Sequence, residues 1–235
     1  MKFRVLVCCL LVWGSLPGWA MPGVGALALS GARSFCAFSP SLDCSETAAE
    51  SPSFQEEKSD KKADAEQLAR ALDYFSSEKF HECLILLQPL NKRYKLNPRY
   101  RAYLAVCLYY EWEYAEAVKL FDEVIPQLQG VAPHELSLYY WMDAESYFAL
   151  QQYGRALPLY EKMLPLCRDN EKPDAYYRMG FCHLFAAESS GASAEERKKA
   201  KECFELSLQG YLKYRNTPNE KARIAQIRHM IGGLK

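Results

Sequence analysis

Two stretches of this 235-residue chain begin like a helical zinc-hydrolase motif. In that motif two histidines four residues apart hold the metal, and the glutamate after the first acts as base. Neither stretch completes it. His81-Glu82-Cys83 meets Ile85 where the second histidine would stand, and His134-Glu135 meets Leu138. The nine cysteines include no Cys-x-x-Cys spacing, so a zinc cluster has no framework. No glycine-rich phosphate loop and no Gly-x-Ser-x-Gly elbow occurs. Glutamates close enough to pair exist, but solvated helices carry such acids routinely. These residues therefore point away from catalysis, and no enzyme activity, cofactor or metal is expected.

Composition narrows the partners. The formal net charge is zero, which gives no electrostatic reason to expect nucleic acid. Tyrosine is heavily used, with 16 residues, and suits either packing between helices or an aromatic binding face. Cys83, Cys107, Cys182 and Cys203 fall at small or apolar positions of a helical pattern and read as buried thiols. Cys36 and Cys44 lie in a loop-like stretch and could pair in an oxidising compartment.

The first residues read as a targeting segment. Lys2 and Arg4 precede the apolar run VLVCCLLVW, and Gly14, Pro17 and Gly18 then break it. This is the pattern of a secretory signal spanning residues 1–20, with cleavage after Ala20 or as late as Ala28. The run is short for a membrane span, so no transmembrane domain is expected after signal removal. Export to the periplasm follows, with anchoring by an uncleaved signal or a lipid as the alternative. Phe35 before Cys36 and Asp43 before Cys44 disfavour the lipid. Residues 21–62 are small and then charged, with few large apolar groups, and read as a flexible tether.

The ordered part is a repeat. Ala105, Tyr114, Ala117, Phe121 and Val124 are matched by Ala144, Tyr153, Ala156, Tyr160 and Met163. Ala71 precedes Ala105 by 34 residues, and Cys83 precedes Ala117 by the same interval. A stretched fourth unit places Gly180 and Ala200 at the small positions. Asn97-Pro98 should cap and open one helix. Ser193 with Glu196 and Thr217 with Glu220 have capping-box spacing. Pro158 is expected either in the first turn of its helix, where its missing N–H costs nothing, or at a kink. An amphipathic helix through Ile224, Ile227 and Ile231 should close the array, with Lys221, Arg223 and Arg228 on its solvated face.

The alternation of small and aromatic residues at this interval resembles the tetratricopeptide repeat. The resemblance covers about Ala63 to Tyr214 and departs where Cys83 replaces the usual alanine. It implies an all-α, right-handed superhelical solenoid of antiparallel helix pairs, of about four units. The repeat domain would span residues 63–214 and the capping helix 215–235. In that family the first helices line a concave groove. Here the groove positions are Leu72, Phe75, Val106, Tyr109, Tyr110, Trp141, Glu145, Phe148, Tyr177 and Phe181, an aromatic surface with one acid. The resemblance implies a protein or peptide partner, and the export signal, the tether and the apolar groove together point to a scaffold or adaptor in a bacterial cell envelope. The alternative is a transport-accessory protein holding a small apolar molecule or lipid. A third reading docks the chain's own tether in the groove. A carboxylate clamp is disfavoured, because Arg99 and Arg101 read as a solvated helix start.

Overall fold

Asn97 shows how one helix here begins. Its side chain accepts a hydrogen bond from the Arg99 amide, and Pro98 follows at the first helical position. The computed structural model describes residues 52–189 and 194–234. The helices are α1 (Pro52–Ser76), α2 (Phe80–Arg93), α3 (Pro98–Tyr110), α4 (Tyr114–Val124), α5 (Pro133–Ala149), α6 (Tyr153–Met163), α7 (Lys172–Ser189), α8 (Ala194–Tyr214) and α9 (Lys221–Gly233). Short 3-10 turns at Ile125–Gln127 and Pro218–Glu220 complete them, and the described residues contain no strand. Each helix packs on the one before it, and α3 also touches α5. The result is a helical solenoid of four antiparallel pairs closed by α9.

The repeat is legible in backbone hydrogen bonds. In the first turn Glu78 donates to the Phe75 carbonyl and Lys79 to that of Tyr74; Cys83 then donates to Lys79. In the second, Trp112 donates to Tyr109, Glu113 to Leu108 and Ala117 to Glu113. In the third, Gln151 donates to Phe148, Gln152 to Tyr147 and Ala156 to Gln152. Glu78, Trp112 and Gln151 all adopt left-handed backbone, with φ of 58°, 65° and 60°. One residue reversed in this way ties up the last carbonyls of the first helix and aims the second back along it.

Small side chains set how closely each pair approaches. Ala71, Cys83, Ala105, Ala117, Ala144, Ala156 and Ala200 are all fully buried. Gly180 leaves no room for a side chain, since a Cβ there would lie 2.7 Å from the Phe204 ring. Aromatics fill the space around these contacts. Phe75 stacks on Tyr103 at 4.2 Å and Phe80 on Tyr110 at 3.9 Å. The thiols of Cys83, Cys107, Cys182 and Cys203 are buried and unpaired in disulfides, as their positions predict.

Several local expectations need correction. Helix α1 begins at Pro52, within the stretch read as tether, because Glu, Lys, Gln and Ala propagate a helix outward from its packed end. That packed end is fixed by Asp64, which accepts hydrogen bonds from Arg93 and Tyr94 of the α2 terminus, each at 2.6 Å. Pro158 lies past the first turn of α6, and the helix continues through it to Met163. Thr217 makes no side-chain cap, since Glu220 is drawn to Arg215. Glu196 binds His183 at 2.8 Å and Lys199 at 3.0 Å; Ser193 lies outside the described residues. Arg99 and Arg101 are not merely solvated, for they pair with Glu135 and Glu123 and tie α3 to its neighbours. Arg223 of α9 lies over the Tyr177 ring at 4.3 Å rather than on a bare outer face. The signal segment, Cys36 and Cys44 lie outside the described residues.

One core group conflicts with its surroundings. Asp143 on α5 is 1% exposed and its Oδ1 has no hydrogen-bond partner. Burial, and secondarily Asp122 of α4, push its carboxyl up to about 8, against the pull of Lys162 from α6. A raised folded pKa means that the protonated form fits the fold. The associated stability is complete at acidic pH, below the ordinary aspartate range. It is lost as pH rises towards about 8. The wild-type melting temperature is expected to fall between about pH 5 and pH 8, and Asp143→Asn to flatten that decline. Thermal melts of both proteins across this range check it; parallel curves would refute the assignment.

Candidate functional site

The first helices α1, α3, α5 and α7 supply one wall of the solenoid, and its centre is an ion pair. Arg178 on α7 donates to Glu145 on α5 at 2.6 Å, and both side chains are almost buried. The Tyr160 hydroxyl of α6 donates to the other Glu145 oxygen at 2.5 Å. Burial opposes the charge on Arg178, but Glu145 more than offsets this and its pKa rises. The Tyr160 phenol is driven well upward by burial and then by Glu145, so it stays a donor. Glu145 was expected as the single acid of an open groove; instead its charge is matched inside the wall.

Aromatic rings extend from this pair in both directions. The Arg178 guanidinium lies over the Phe148 ring at 4.7 Å. Phe148 meets Tyr153 at 5.2 Å and Phe185 at 6.3 Å, and Phe185 continues to Phe181 at 5.8 Å. Trp141 crosses Tyr160 edge-on at 5.5 Å. On the α3 side Tyr109 meets Tyr110 at 5.2 Å and Tyr114 at 6.0 Å. Burial, followed by Glu145, raises the Tyr109 phenol, which places it within electrostatic reach of the central pair.

The expected groove residues divide into two groups. Phe75, Val106 and Tyr177 are buried in helix packing, along with Glu145. Leu72, Tyr109, Tyr110, Trp141, Phe148 and Phe181 are half-buried. Tyr153 and Arg178, which the groove positions did not include, also pack against Phe148. Arg178 had a signal, since it is the only cation in the apolar run AYYRMGFCHLF and so needed a buried partner. Among the described residues no group of three metal-binding side chains occurs, and no helix is long and apolar enough to cross a membrane.

No protein-family model matches the chain, and no curated protein matches it. Solved structures do. A MamA chain from Desulfovibrio magneticus RS-1, running from residue 41 to its end, is 15% identical with a TM-score of 0.48; the match covers 73% of this chain and 92% of that one. MamA of AMB-1 is 10% identical with a TM-score of 0.47, over 74% of this chain and 92% of that one. MamA of MSR-1 is 12% identical with a TM-score of 0.44, over 74% and 99%.

The central pair sets a stability test. Arg178→Met leaves a buried carboxylate uncompensated and should cost about 3–5 kcal/mol. Adding Glu145→Gln removes the orphan charge, so the double variant should lose less than the sum of the two single variants. Urea unfolding of the wild type, the two single variants and the double variant checks this, and strict additivity would contradict the pairing.

Proposed function

We propose that this chain is an exported tetratricopeptide-repeat protein that scaffolds an assembly in a bacterial cell envelope and does no chemistry of its own. It would bind an extended or helical protein segment through apolar anchors on the wall formed by its first helices. The observation that carries this reading is the row of half-buried aromatics, Tyr109, Trp141, Phe148 and Phe181, around an ion pair already neutralised from within. Such a surface offers large rigid contact area and no free charge at its centre, so it favours apolar side chains over an anionic terminus. The export assignment rests on the basic start, the apolar run and the breakers after it.

The test is crosslinking in the native envelope, comparing the wild-type chain with Trp141→Ala and Tyr109→Ala. Each ring is half-buried, so both variants should stay folded, which circular dichroism verifies. Loss of one crosslinked protein, common to both variants, is the expected outcome. Retention of every partner by both variants would reject the groove. Fractionation of the same cells tests location, and a purely cytoplasmic signal would reject the export assignment.

A further inference from the structure

Trp112 is the residue of the second repeat turn in left-handed backbone, with φ of 65°. Glycine occupies such backbone without steric cost, and bulky side chains rarely do. The tryptophan gains little burial in return, for it is 72% exposed. The equivalent turn residues are the ordinary polar side chains Glu78 and Gln151, so the fold does not call for an aromatic there. A strained and exposed tryptophan that serves no packing role needs a reason outside the fold.

Its surroundings indicate one. His81, in the first turn of α2, hydrogen-bonds Glu111 at 2.8 Å and so brings α2 beside the Trp112 turn. Ile85 follows His81 by one helical turn on the same face and is 56% exposed. Trp112 and Ile85 are the two most exposed large apolar residues of those described. Acids dominate their margin. Glu111 and Glu113 flank Trp112 in the chain, Glu82 acts on His81, and Glu78 acts on Tyr110 two residues before Trp112. The nearby lysine, Lys79, lies over the Tyr74 ring.

We infer that Trp112 and Ile85 form a second docking surface, distinct from the aromatic wall, for a protein segment that carries a large apolar side chain flanked by lysine or arginine. An apolar centre with an acidic margin is complementary to that chemistry and repels the anionic face of a phospholipid surface. Tryptophan is among the residue types most enriched at the energetic centre of interfaces, and Trp112 is the most exposed large apolar residue of those described.

A random peptide display library panned on the full chain, with counter-selection on Trp112→Ala, provides the probe. The expected result is enrichment of peptides with an aromatic or aliphatic anchor next to basic residues. The enriched peptides should bind Trp112→Ala about tenfold or more weakly. They should also weaken on Glu82→Lys with Glu113→Lys, and bind Trp141→Ala as they bind the wild type. Trp112→Gly keeps the turn and serves as the folding control, since its melting temperature should match or exceed that of the wild type. Failure to enrich any Trp112-dependent peptide overturns the proposal. So does enrichment of acidic or charge-indifferent sequences, or Trp112-dependent sedimentation with phosphatidylcholine vesicles. Because the aromatic wall is left intact by Trp112→Ala, such failure would leave the groove reading standing.

Discussion

The structure depends on close approach at the crossing of each helix pair. Two helices carrying large side chains on both faces cannot come near enough to bury a continuous layer of aromatics. Here each unit carries small residues on both its helices: Ala71 and Cys83, Ala105 and Ala117, Ala144 and Ala156, and Gly180 and Ala200. All are shut off from solvent. Interiors pack at near-crystalline density, so one methyl group at such a point is felt throughout the pair. The rings of Phe121, Tyr160, Phe204 and Tyr211 are then buried almost completely around those contacts.

Close packing leaves the polar groups few places to go, and the chain resolves them unequally. Glu145, Arg178 and Tyr160 satisfy one another across three helices, and Asp174 likewise receives Tyr211 and Arg215. Asp143 has no such partner. The matched groups fix which helix faces which, because a slip of one turn would strand a charge in the core. Asp143 adds nothing to that specificity.

The helix pairs, their interval and the small positions could be read from the chain, because hydrophobic spacing and residue size are local properties. The identical hydrogen-bond register at Glu78, Trp112 and Gln151 follows from that spacing. The site was legible only in outline. Tyr109, Trp141 and Phe148 could be placed on first helices, but Phe75 and Val106 looked alike in sequence and proved buried. Whether an aromatic residue faces a neighbour or a partner depends on the approach of another helix, which spacing does not encode. The same holds for Glu145, whose partner lies 33 residues away. The capping signal at Thr217 makes no side-chain cap, and the Glu220 side chain of that box pairs with Arg215 instead.

The claim that side-chain size at the crossings sets the stack is tested most directly at Gly180. In an exposed helix, replacing glycine by alanine stabilises by about 1 kcal/mol. Here the added Cβ would sit 2.7 Å from the Phe204 ring, which is itself fully buried. Urea unfolding of Gly180→Ala should therefore show a lower midpoint than wild type, by roughly 1–3 kcal/mol in stability. A midpoint raised by the helix-propensity gain would contradict the account.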